Sequence, residues 1–314
     1  MQQPSRPPIP PLAGLAFGIL VTSTAAILIR MAQASAPSLL IAAGRMGLAS
    51  LILLPLAAWR HRAAWAALTR GQVAAAALAG AFLAVHFATW ITSLELTSVA
   101  SSVVLVSTAP LFVALLSGPV LREVVPRHVW LGVALATAGG VAVAVLDACR
   151  GAGTGCVVGS LLPSGQAALR GDALALIGGA AAAGYILIGR RLRADLPLLV
   201  YVTATYSAAA LLLALTAGAA GLRPFGLPPQ AWLIIALLAI GPQVLGHSSL
   251  NWALRYVPAA VVSLALLGEP VGSTLLAALV FREVPGPAQM LAMTLILAGI
   301  ALAARAPVPP SGGV

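Results

Sequence analysis

The sequence predicts an all-α integral membrane protein: ten transmembrane helices in two inverted five-helix repeats. Three observations predict it. Hydrophobic residues make up 61% of the 314 positions and charged residues only 8%, whereas a soluble domain carries about 25% charged residues, so this surface must face lipid. Ten segments are apolar over a length sufficient to cross a bilayer, which takes about 20 helical residues. A shift of 160 residues also lays the second half on the first without a gap. Leu94, Pro110, Arg122, Glu123 and Gly139 meet Leu254, Pro270, Arg282, Glu283 and Gly299, and Arg30 meets Arg190. An internal repeat in a membrane chain is the usual ground plan of a transporter, with the substrate site between the halves.

The elements follow in order. Residues 1–11 are Pro-rich and polar and read as a tail. The segment after them has no small-residue cleavage site and reads as a retained helix over 12–30, not a secretory signal. Segments 38–58, 72–92, 98–118 and 128–146 complete a first repeat, 12–146. The Gly-rich stretch 147–170 links the halves. Segments 171–189, 197–217, 231–251, 257–280 and 287–304 form a second repeat, 171–305, and 306–314 is a short tail.

All 17 basic residues are arginine, and they orient the bundle. Ten spans put both termini on one side. That side carries eleven arginines, mostly in the 59–71 and 190–195 loops, and the other carries five, at positions 30, 150, 170, 223 and 282. The excess marks the cytoplasmic side, so both termini are expected in the cytoplasm. Each repeat has an odd number of spans, so the second must run upside down relative to the first. The 147–170 linker then falls outside the cell. In an oxidising periplasm Cys149 and Cys156 can close a disulfide across a small loop, or they stay two unpaired thiols. No metal-ligand spacing is present and no cofactor is called for. The net charge of +10 is scattered over loops without a basic block, which argues against nucleic acid as a partner.

Ionisable and polar groups inside a span are expensive in lipid and should face a wet cavity or a partner. Glu269 lies about halfway along the ninth span, beside Pro270, and its first-half mate is Ala109. A carboxyl there can carry a proton, bind a substrate cation, or bond backbone N–H groups freed by the proline. Pro110 and Pro270 are mates near mid-span and are expected to kink their helices. In the eighth span Gln243, His247 and Asn251 recur every four residues and share one helical face. His247 suits proton coupling because histidine titrates near physiological pH. His86 and Trp90 share a face of the third span. Trp90 is placed at the membrane interface ahead of the substrate path, since tryptophan is enriched there. Arg45, in the outer part of the second span, meets an anionic substrate group, snorkels, or bonds helix carbonyls. Tyr185 is a further cavity candidate, and the hydroxyls of Thr22, Ser23, Thr24, Thr203, Thr205 and Tyr206 can glue helices together. The Arg122–Glu123 and Arg282–Glu283 pairs read as anchors at helix ends.

The stretch LELTSVASSVVLVSTAPLFVALLSGPVLREVVP, with its partner ALRYVPAAVVSLALLGEPVGSTLLAALVFREVP and the preceding GHSSLNW, resembles the tandem EamA domains of the drug/metabolite transporter superfamily. The resemblance spans roughly residues 12–304. One departure is visible: Arg-Glu stands where members usually have Gly-Glu at the ends of the fourth and ninth helices. The resemblance implies ten helices, cytoplasmic termini and secondary transport of amino acids or related metabolites, or of amphipathic and cationic drugs, with export the commoner direction. The chain has no Walker-type GxxxxGK[ST] motif, so a gradient must drive it. A proton is the candidate coupling ion, the bilayer and a small molecule are the expected partners, and the state is monomer or homodimer. The rival readings are a gradient-driven facilitator and an intramembrane enzyme, the latter lacking HExxH, GxSxG or paired aspartates.

Overall fold

The computed structural model describes residues 7–97, 102, 105–151, 166–281 and 286–305. Its longer helical segments are α1 (Pro11–Thr22 and Ala25–Gln33), α2 (Ser38–Arg60), α3 (Arg70–Leu96), α4 (Ala109–Leu121), α5 (Arg127–Gly151), α6 (Gln166–Arg193), α7 (Leu198–Ala219), α8 (Pro229–Ala253), α9 (Ala259–Ala265 and Gly268–Phe281) and α10 (Pro287–Ala304), with a short helix, Arg62–Ala66, between α2 and α3. Among the described residues seven helices are long and apolar enough to cross a membrane: α1, α2, α3, the apolar part of α6, α7, α8 and α10. Ala109–Leu121 and Ala259–Ser273 are shorter apolar helices. The chain is a multi-pass membrane protein. Large apolar side chains such as Leu20, Leu51, Leu211, Leu233 and Leu297 are exposed on the outside of the bundle, where only lipid suits them.

Proline chemistry sets many of the helix starts. Pro37 and Pro197, mates under the 160-residue shift, adopt extended conformations just before α2 and α7. Pro11, Pro229 and Pro287 occupy the first turns of α1, α8 and α10, where a missing N–H goes unnoticed. Thr69 opens α3 with a capping box: its hydroxyl accepts from the Gln72 N–H at 3.2 Å, and its own N–H donates to Gln72 Oε1 at 3.1 Å.

Two expectations about the spans change. Pro110 and Pro270 do not kink continuous helices. Turns at 107–108 and 266–267 interrupt the chain, and each proline sits in the first turn of the helix that follows. The predicted segment 257–280 is therefore two helices, and within 98–118 continuous helix begins at Ala109. The pairing of Cys149 with Cys156 and the Arg282–Glu283 pair lie outside the described residues.

The halves meet through small residues, and the contacts repeat by symmetry. A Cβ on Gly132 of α5 would lie 2.6 Å from the Gly299 carbonyl of α10, and one on Gly139 would lie 2.7 Å from the Ala292 carbonyl. The shift turns the first pair into the second. Likewise Gly18 of α1 packs on Ser249 and Leu250 of α8, while its mate Gly178 of α6 packs on Thr89 and Trp90 of α3. Close approach of backbones is how helices associate where lipid removes the hydrophobic drive. Equivalent contacts exchanged between halves are what a twofold relation produces. Contacts bring the start of α1, through Gly14 on Trp252, to the end of α8, and Arg190 ties the ends of α4, α6 and α8 together; this end of the bundle is called the terminal face.

Candidate functional site

Between the halves lies a cavity of about 260 Å³. It is walled by α1, α2, α3, α6, α8, α9 and the turn that leads into α4. Its lining is mostly apolar, with polar groups contributed by few side chains. Seven of the eight binding candidates read from the sequence meet in it: Arg45, His86, Trp90, Tyr185, His247, Asn251 and Glu269. Pro110 and Pro270 line it as well.

Arg45 is the dominant group. It is 1% exposed, held in the second turn of α2. Its Nε donates to Gln243 Oε1 at 2.9 Å, and its guanidinium carbon stands 4.3 Å from the centre of the Phe87 ring. Both terminal nitrogens, Nη1 and Nη2, are buried and have no hydrogen-bond acceptor among the described residues. Snorkelling is therefore excluded for this arginine. A buried cation stripped of acceptors is strongly disfavoured unless something pairs with it, and two parallel N–H donors match a carboxylate. Glu269, across the cavity on α9, faces the Arg45 charge and the Thr22 hydroxyl.

The aromatic groups order the rest. His86 stacks on Trp90 with centroids 5.8 Å apart and planes 17° from parallel, and its Nδ1 lies 2.9 Å from the Gly178 carbonyl. Trp90 thus lines the cavity wall, where the α3–α6 contact turns this face of α3 inward. Phe87 meets His247 edge to face at 5.6 Å. These two residues are mates under the shift, so the cavity centre lies on the twofold relation itself. Asn251 Nδ2 bonds Tyr185 Oη, the His247 carbonyl at 2.8 Å and Tyr206 Oη at 3.3 Å.

Gln243 is the exception. It is fully buried behind Arg45 and does not reach the wall. The cause is local winding: α8 is π-helical over Ala239–His247, which breaks the four-residue face expected of an α-helix. Sequence reasoning missed Phe87 and the roles of Tyr206 and of two arginines at the end of α6. Phe87 is one apolar residue among many, and only its register against His247 marked it.

The terminal-face end of the cavity is closed by polar ties. Arg190 Nε donates to Glu123 Oε1 at 2.7 Å, and its Nη1 to the Leu254 carbonyl at 2.6 Å. Arg193, 2% exposed, donates from Nε to the Asn251 carbonyl at 3.1 Å and from Nη1 to the Leu196 carbonyl. Glu123 is thus more than an anchor at a helix end. It is aimed by a π turn over Ser117–Leu121 that ends with Arg122 in the left-handed region, φ 57°. Among the described residues no cluster of His, Cys, Asp or Glu could hold a metal ion.

The model of the EamA-like transporter family matches the chain twice, over residues 12–145 and 169–305. No curated protein matches it in sequence. Among solved structures, a crystal structure of a protein with 20% identity superposes with a TM-score of 0.75, covering 93% of this chain and 96% of the other. That likeness concerns the fold alone.

Proposed function

The chain belongs to the EamA-like transporter family, and on that premise we propose a secondary active transporter that exports small organic metabolites bearing a carboxylate, such as amino acids, across a bacterial inner membrane. It works by alternating access between two inverted five-helix repeats, ten spans in all, over 12–146 and 171–305. Both termini lie in the cytoplasm, and the 147–170 linker lies outside. The single observation that carries the reading is the buried Arg45 fork, unpaired at Nη1 and Nη2, in one cavity with Glu269. A carboxylate satisfies the fork, an ammonium group satisfies Glu269, and the apolar wall accepts a side chain. The functional unit is a monomer or homodimer, since each chain supplies both halves of the site.

The test is counterflow in proteoliposomes. Amino acids with apolar side chains are expected to show saturable exchange, and the corresponding decarboxylated amines none. Exchange of the amines but not of the amino acids would favour a second reading, export of cationic compounds, which Glu269 in one cavity with the His86–Trp90 stack supports. Transport that is linear in concentration and without counterflow would instead mark a facilitator.

Coupling to protons is assigned to Glu269. It is the acidic side chain in the cavity wall, and protonation lets it release a bound ammonium group. E269Q is expected to keep exchange at equal pH on both sides and to lose accumulation driven by a pH gradient. Full gradient-driven accumulation in E269Q would remove this residue from coupling.

A further inference from the structure

Two arginines near the end of α6 hold the cavity floor, and the 160-residue repeat separates what they do. Arg193 donates to the Asn251 carbonyl at 3.1 Å. Its mate Gln33 donates from Nε2 to the carbonyl of Ile91, the mate of Asn251, at 3.4 Å. This tie lies within one half and is made in both, so it belongs to the framework of each repeat.

Arg190 differs. Arg190 and Leu254 belong to the second half, whereas Glu123, which Arg190 contacts at 2.7 Å, belongs to the first. This bond therefore joins the halves. The mates of Arg190 and Leu254 are Arg30 and Leu94, which lie at the opposite face. Arg30 is exposed and has no partner among the described residues. In sequence the shift also carries Glu123 to a glutamate, position 283, outside the described residues.

The cavity mirrors this asymmetry. Leu254 and Asn251, each 1% exposed, line it at the end where Arg190 is engaged. Trp90, Ser107 and Ser273, which line it towards the opposite face, are only half-buried. These three are more exposed than the two beside Arg190, which is the order expected of a cavity shut where the bond between the halves is made.

We propose, resting on the transporter reading, that Arg190, Glu123 and the Leu254 carbonyl form a latch that shuts the cavity on the terminal face, and that Arg30 on the Leu94 carbonyl is its counterpart in the opposite conformation. The two latches exchange as one half rocks against the other. The side chains of Arg190 and Glu123 are 19% and 21% exposed, so water reaches the pair and it can open without stranding a charge in lipid.

The test uses the full chain with Cys149 and Cys156 replaced by serine and one reporter cysteine at a time. I186C reports access to the floor from the terminal face, and S107C reports access from the opposite face, each read as the rate of reaction with a membrane-impermeant maleimide. R190Q and E123Q are expected to raise labelling of I186C roughly tenfold, the effect of losing one charged hydrogen bond, and to lower labelling of S107C. R30Q is expected to act in the reverse sense on both reporters. E123Q removes the bond from the other side and decides the matter where R190Q does not fold. Unchanged reporters, or R30Q and R190Q moving them in the same sense, would overturn the latch. Wild-type counterflow with indifferent reporters sinks the latch and leaves transport standing. Shifted reporters with no counterflow of any amino acid support the latch and sink the substrate reading.

Discussion

Arg45→Met is expected to abolish substrate binding while leaving the fold intact or more stable. The two effects have opposite signs because Arg45 does two things. It offers Nη1 and Nη2, which nothing among the described residues accepts from, and it carries a charge that is 1% exposed. Removing one partner of a buried, hydrogen-bonded charge pair costs about 2–5 kcal/mol, so affinity for a carboxylate should fall roughly 30-fold to more than a thousandfold. In the empty protein the same change removes a buried charge whose Nη1 and Nη2 donate to nothing among the described residues and which Glu269 faces only from across the cavity, and such a charge is costly to keep buried. Methionine fills similar space and still packs on Phe87. The losses are the 2.9 Å donor to Gln243 Oε1, the cation over the Phe87 ring and the charge that faces Glu269. Thermal unfolding of purified protein with and without amino acid reads both at once: the ligand-induced rise in Tm should vanish, and the ligand-free Tm should not fall. Arg45→Lys should bind weakly, since an ammonium keeps the charge and lacks the planar fork. A full ligand-induced shift in Arg45→Met would remove the arginine from the site.

Gly299→Leu is expected to be the most damaging single change in the framework. A Cβ at Gly299 would lie 2.6 Å from the Gly132 carbonyl and 2.8 Å from the Ala136 N–H. Both are backbone atoms of α5 and cannot rotate away, so α5 and α10 must separate. Overpacking a tight contact costs about 1–3 kcal/mol, and at roughly 2–4 °C per kcal/mol the Tm should drop by several degrees. The twofold relation makes the prediction sharper. Gly139, the mate of Gly299, would place its Cβ 2.7 Å from the Ala292 carbonyl, so Gly139→Leu should cost a similar amount. The neighbouring Gly140 has nothing within 4 Å of its Cβ position. Gly140→Ala should be neutral or stabilising, since alanine is favoured over glycine in a helix by about 1 kcal/mol. No loss at 139, or an equal loss at 140, would mean that the close backbone contact does not set the effect.

The repeat and the hydropathy made most of this architecture legible before any coordinates. The 160-residue shift that pairs Gly139 with Gly299 also pairs the contacts those glycines make. Hydropathy placed the seven helices that are long and apolar enough to span, because lipid imposes the same demand on each. Burial cost made the wall readable too: an arginine, a glutamate and two histidines inside spans had few places to go, and all four face one cavity. What could not be read was local winding and side-chain reach. The π-helical stretch in α8 turned Gln243 from the wall to the support of Arg45; Pro242 within AIGPQVLGH marks disturbed winding without saying which face results. Trp90 was assigned to the interface from a tendency of its residue type, whereas the glycine at 178 draws α6 against α3 and turns the indole inward. The ties at the cavity floor depend on carbonyl acceptors, Asn251 and Leu254, whose side chains carry no hint of them.

Phe87 and His247 touch across the twofold relation, and this has a consequence for how such a site can evolve. In a dimer of one short polypeptide, equivalent positions on the axis must hold the same residue. Fusing both halves into a single gene removes that constraint, so one position can keep a phenyl ring while the other acquires a basic nitrogen. A chain built from two copies of residues 1–160 would set phenylalanine against phenylalanine there, and would also exchange Glu269 for alanine. It would retain the scaffold, Arg45 and His86, and forfeit the carboxyl of the wall.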